Sequence, residues 1–132
     1  MLAYAPIYPV LAASDLGRAR AWYAAKLGLE PAMEVDGSLI YRVGGGMLLL
    51  YETANAGTAK NTTAGWLVDD IDAVMADLRA RGVRFEDYDI ENGPTTVDGV
   101  AGDPSSGRTA WFTDSEGNVV SITQPPAGFQ LP

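Results

Sequence analysis

The sequence predicts an α+β fold of two tandem β-α-β-β-β modules, their strands forming a cupped mixed sheet with the helices on the outside. Three observations predict it. A run of apolar residues at helical spacing begins at a capping side chain and stops at a glycine, and the chain does this twice. Short strand-like segments follow each of these helices. The halves also superpose: Ala13-Ser14-Asp15-Leu16 falls on Val68-Asp69-Asp70-Ile71 at an offset of 55, Leu27-Gly28-Leu29 on Arg81-Gly82-Val83 at 54, and Gly37-Ser38 on Gly107-Arg108 at 70. Neither half is large enough to bury both faces of its own sheet, so the two must share one domain. Residues 1–132 are therefore read as a single domain, with a first module at 5–53, a linker at 54–62, a second module at 63–124 and a tail at 125–132.

Each element has its own signal. Ala5 to Ala13 is apolar and reads as the first strand; Ser14 then supplies a hydroxyl that can cap the following helix. Leu16, Ala19, Trp22, Tyr23 and Leu27 recur at helical spacing, and Gly28 provides the left-handed stop. Ala32–Val35 and Leu39–Val43 flank an Asp36-Gly37 turn as a hairpin, and Met47–Thr53 gives another strand after Gly44-Gly45-Gly46. In the second half, Ala64–Val68 is a strand, Asp69-Asp70 opens a helix carrying Ile71, Val74, Met75 and Leu78, and Gly82 ends it. Val83–Tyr88 is expected as the next strand, and Thr109–Thr113 with Val119–Thr123 as the last hairpin. The stretch from Ile90 to Gly107 is too long for an ordinary connection and is read as a lid, a binding loop or a disordered segment.

Composition removes whole classes of chemistry. With no Cys there is no disulfide, thiolate nucleophile or zinc–sulfur site; with no His there is no imidazole base or ligand. Seventeen acidic against nine basic side chains, a net charge of -8, argue against nucleic acid or an anionic membrane as partner. Apolar runs such as Met47–Tyr51 are far below the ~20 residues of a membrane span. No signal-peptide pattern opens the sequence, so a cytoplasmic location is expected.

Ser14-Asp15-Leu16, followed by Trp22-Tyr23 and Leu27-Gly28-Leu29, resembles the first-helix signature of the vicinal oxygen chelate superfamily. Val68-Asp69-Asp70-Ile71-Asp72, Arg79-Ala80-Arg81-Gly82-Val83 and Phe112-Thr113-Asp114-Ser115-Glu116-Gly117-Asn118 are similar to its second-half pieces. The resemblance runs from about Tyr8 to Gln124. It implies paired modules around an open cup, often a homodimer, and in the metalloenzymes ligands on the first and last strands of each half. Those ligand positions fall on Tyr8, Thr63, Leu50 and Ser121, with Glu52 two residues from Leu50. A phenol, two hydroxyls and an aliphatic chain do not make a divalent-cation site, so no metal and no cofactor are expected.

With Tyr8 and Ser121 taken as inward by the resemblance, strand alternation lines the cup with aromatic, aliphatic and hydroxyl side chains. Tyr8, Tyr41, Leu50, Glu52, Thr63, Leu67, Thr109, Trp111 and Ser121 are the candidate ligand-binding residues. Trp111 suits either core packing or stacking on a ligand, whereas Trp22 and Trp66 fall on helix-facing positions. The reading is a metal-free binding protein of the glyoxalase/bleomycin-resistance type that sequesters a hydrophobic or cationic small molecule, an antibiotic among the possibilities. The alternative is a metal-independent lyase- or isomerase-like enzyme using Tyr8 or Glu52 for proton transfer. A third is a duplicated scaffold that acts by association with another chain.

Overall fold

The computed structural model describes residues 1–131. After a short 3-10 turn at Leu2–Tyr4, the first module comprises β1 (Val10–Ala13), α1 (Leu16–Trp22, prolonged by a wider π-helical turn over Tyr23–Leu27), β2 (Met33–Val35), β3 (Ser38–Val43) and β4 (Gly46–Glu52). The second comprises β5 (Thr62–Leu67), α2 (Ile71–Ala80), β6 (Ala101–Asp103), β7 (Gly107–Thr113) and β8 (Val119–Gln124). Strand order is β1-β4-β3-β2 in one sheet and β5-β8-β7-β6 in the other. In each, the leading strand lies parallel to the last one and the remaining pairs are antiparallel. The same topology built twice is the duplication expected from the sequence.

Both helices begin at an aspartate. Asp15 Oδ1 accepts from the Arg18 amide at 2.9 Å and Asp70 Oδ1 from the Ala73 amide at 3.1 Å. Ser14 is therefore not the cap of α1: its amide and hydroxyl both donate to Glu116 of the second half. Gly28 ends α1 with φ +68, a conformation that costs a side chain dearly. Each helix covers one face of its own sheet. Leu11, Ala13, Leu39, Tyr41, Leu48 and Leu50 are buried on that side of the first sheet, with Ala19 and Tyr23 of the helix also in the core. On the second sheet Ala110, Phe112, Val120 and Ile122 share the core with Ile71, Met75 and Leu78 of α2. Trp22 and Trp66 both stack on Phe112, at ring separations of 6.3 and 6.5 Å, which confirms their helix-facing placement and joins the modules.

The turn between β7 and β8 is a polar clamp on the first module. Asp114 Oδ1 accepts from the amides of Glu116 and Asn118, while its Oδ2 accepts from the Tyr23 hydroxyl at 2.6 Å and from Asn118 Nδ2. Asn118 Nδ2 also donates to the Ala12 carbonyl. Burial pushes the Tyr23 phenol well above its ordinary pKa, and Asp114 adds to the rise, so the hydroxyl stays protonated and donates. The 54–62 linker packs on this turn: a Cβ on Gly117 would sit 2.7 Å from the Gly57 Cα.

One further expectation needs correction. Val83–Tyr88 is not a regular strand; it makes one bridge, Phe85 to Phe112, and the strand that follows the helix is supplied by Ala101–Asp103. Val83 and Phe85 are buried and their apolar character serves the core. The long excursion before β6 has internal order: Asp87 Oδ1 accepts from the Gly99 amide and the Thr96 hydroxyl, and Arg79 donates to the Asp98 carbonyl.

Candidate functional site

Covering one face of each sheet with a helix leaves the opposite faces open. Because side chains alternate, pairing register assigns every strand residue to a face. Val10, Ile40 and Leu49 share the open face of the first sheet, as do Arg42 with Met47 and Met33 with Ile40. On the second sheet Gly65, Trp111 and Ser121 form one row of the open face, and Leu67, Thr109 and Thr123 another.

Six of the nine sequence-selected residues lie on or beside these open faces. Trp111 donates from Nε1 to the Thr62 hydroxyl at 3.0 Å and meets the Tyr88 ring edge-on at 5.5 Å. Thr109 and Thr123 hydroxyls are paired at 2.9 Å. Ser121 is buried beside Gly65, where a Cβ would lie 2.7 Å from the serine Oγ. Leu67 is half exposed, and Tyr8, in the arm before β1, is 42% exposed. Thr63 sits at a register shift of β5 and spends its hydroxyl on the Val119 carbonyl at 3.0 Å.

The other three do not rise from the open faces. Tyr41 and Leu50 are fully buried on the helix-covered face, Tyr41 with its ring 5.7 Å from that of Tyr23. Glu52 has the same parity as Leu50 and lies exposed at the end of β4, so it does not face the open side either. The physical cause is strand period: an overlay that set Tyr41 on Trp111 and Leu50 on Ser121 was one residue out, and one residue reverses the face. Tyr41 Oη is buried without a hydrogen-bond partner, and burial raises its pKa.

The corrected parity exposes a site that sequence reading missed. A groove of about 470 Å³ runs along the first sheet under the N-terminal arm, lined by Pro6, Ile7, Tyr8, Ala32, Met33, Ile40, Tyr41, Arg42, Gly45, Gly46 and Met47. A smaller pocket joins Ile7, Tyr8 and Pro9 to Ala64 and Gly65 of β5. The lining is thioether, aliphatic and phenolic, with Arg42 as its single formal charge. A volume of this size lies in the range of small-molecule sites. Arg42, the lone charge inside an otherwise apolar strand, was the available signal.

The residues do not fit a divalent cation. Beside Tyr8 and Ser121 the open faces present Val10, Leu49 and Gly65, none of them a ligand. Among the described residues no group of three or more His, Cys, Asp or Glu could hold a metal ion. Tyr8 and Glu52, the two residues suited to proton transfer, do not share a face.

Two β-α-β-β-β modules clamped edge to edge, with helices on one side and open sheet faces on the other, define a paired-module α+β protein. The chain belongs to the Glyoxalase/Bleomycin resistance protein/Dioxygenase superfamily, whose family model matches residues 6–122. Among solved structures it is similar to TnmS3, an antibiotic binding protein from Streptomyces sp. CB03234, at 25% identity and TM-score 0.68, covering 95% of this chain and 98% of that one. It is also similar to a lactoylglutathione lyase from Agrobacterium tumefaciens at 20% identity and TM-score 0.69, with 96% and 98% covered. A family protein from Nocardioides matches at 20% identity and TM-score 0.65, with 97% and 89% covered. No curated protein sequence matches the chain. Among the described residues no helix is long and apolar enough to cross a membrane.

Proposed function

We propose that the protein binds and sequesters a hydrophobic small molecule without transforming it, needs no metal to do so, and works as a homodimer. The observation that carries this reading is the open groove of the first sheet, mostly apolar, with Arg42 as its one charge and free of any paired acid and base. Similarity to an antibiotic binding protein at 25% identity supports an antibiotic as one class of ligand. Dimerisation is supported by the apolar surface left outside: Leu2, Tyr4 and Ile7 of the arm are almost wholly exposed, and Met33, Val35 and Tyr51 remain substantially so. Exposed apolar side chains in that number suit burial against a second copy.

The test is calorimetric titration with a panel of aromatic antibiotics, with product analysis by mass spectrometry, metal analysis and ultracentrifugation on the same sample. Saturable binding by a dimer, with unaltered compound recovered and no stoichiometric metal, is the expected result. Conversion of a panel member would move the assignment to an enzyme, about one metal per chain would overturn the ligand-poor reading of the site, and a monomer at micromolar concentration would remove the dimer.

A further inference from the structure

We propose that the groove of the first module selects an amphipathic small molecule with one oxyanionic group (carboxylate, sulfonate or phosphate) on an apolar body, and that Arg42 is the residue that grips the oxyanion. The proposal deepens the binding function above and rests on it. Arg42 lies on the open face of β3, directly across from Met47 and one turn of the pleat from Ile40. Among the described residues its guanidinium makes no ion pair and no hydrogen bond, whereas Arg18, Arg20, Arg81 and Arg108 each hold a carboxylate and Arg79 is bonded to the Asp98 carbonyl; Arg84 is likewise unpaired but does not line the groove. The groove lining contains no acid to neutralise it.

The net charge of -8 favours a cationic ligand only at long range. At physiological ionic strength charges beyond about 8 Å are screened, so the sign of the lining outweighs that of the whole molecule. That local sign is positive. Guanidinium donors form a planar fork matched to two oxygens of an oxyanion, and Arg42 is exposed enough to meet one without a prior burial cost. Thioether and aliphatic neighbours Met33, Ile40 and Met47 then cover the apolar body.

Two fluorescent probes of similar shape separate the terms: 8-anilinonaphthalene-1-sulfonate, an anion, and the neutral N-phenyl-1-naphthylamine. Both are titrated into the wild-type protein, Arg42→Met, which keeps the apolar stem, and Arg42→Lys, which keeps the charge; thermal melts by circular dichroism verify folding. Wild type is expected to prefer the sulfonate by about tenfold, Arg42→Met to bring that ratio to about one, and Arg42→Lys to retain part of it. A sulfonate preference that survives in Arg42→Met refutes the role of Arg42. Equal affinity of wild type for both probes refutes oxyanion selection while leaving groove binding intact. Binding of neither probe removes the underlying binding function and this proposal together.

Discussion

Glu116 ties the two modules together through a single carboxylate. Its side chain is fully buried, and one carboxylate serves five donors at 3.0 Å or less: the amides of Ser14 and Asp15, Nε and Nη2 of Arg18, and the Ser115 hydroxyl. Burial alone would raise its pKa, but the hydrogen bond from Arg18, those from Ser115 and Asp15, and the Arg18 charge hold it down to about 2, against an ordinary 4.5. A folded pKa below the unfolded one means that the ionised form stabilises the fold. This stabilisation is fully present above the unfolded value and is lost as pH falls from about 5 towards 2. At 1.36 kcal/mol per unit, a displacement of this size corresponds to about 3 kcal/mol. Glu116→Gln also turns an amide NH₂ towards the Arg18 donors, so a loss of about 3 kcal/mol at pH 7 is expected, roughly 10 °C in Tm. Urea unfolding followed by tryptophan fluorescence at pH 7 and pH 2.5 reads it. The gap between wild type and variant should be wide at pH 7 and mostly closed at pH 2.5. A gap of equal size at both pH values, or one below about 1 kcal/mol at pH 7, refutes the ionic clamp and reduces Glu116 to a packing residue.

Two further substitutions separate the core from the groove. Leu50→Ala removes a fully buried side chain from the helix-covered face and should cost about 2–5 kcal/mol in urea unfolding, while the affinity of either naphthalene probe for the folded protein stays unchanged. Loss of affinity without loss of stability would return Leu50 to the site. Tyr41→Phe deletes a buried hydroxyl that has no partner, so stability should be unchanged or higher by up to about 1 kcal/mol; a loss above 1 kcal/mol would mean that the hydroxyl is satisfied in solution.

The sequence carried the modules better than their faces, and particular residues explain why. The helices were legible because Asp15, Asp70, Gly28 and Gly82 punctuate them chemically, and even the misassigned cap moved by one residue only. β5 and the first helix-facing positions followed, because Ala13 onto Val68 at 55 preserves parity. β3 and β4 gave no such guidance. Leu39-Ile40-Tyr41 and Met47-Leu48-Leu49-Leu50-Tyr51 are apolar on both faces, so alternation is invisible and a one-residue slip is undetectable. Tyr41 and Leu50 fall in the cup on an overlay with an even offset for β3 and an odd one for β4, whereas the observed pairing sets Ile40 on Trp111 and Leu49 on Ser121 and reverses both parities. The hidden element was β6: Ala101-Gly102-Asp103 has no strand propensity, and it pairs with β7 because the turn at Asp103, whose Oδ1 accepts from the Ser105 and Ser106 amides, folds it back.

The same parity argument separates two faces that the duplication once made alike. On the second sheet most polar groups are already matched to one another: Thr109 with Thr123, Trp111 with Thr62, Thr63 with the Val119 carbonyl. A ligand meeting that face would have to break protein hydrogen bonds to gain its own, a near-neutral exchange. The first sheet offers apolar area that costs nothing to cover and one cation with every donor still available. Affinity should therefore come from the first module. The self-satisfied second face, with the Trp111–Tyr88 pair on it, suits a wall that shapes the ligand rather than one that holds it.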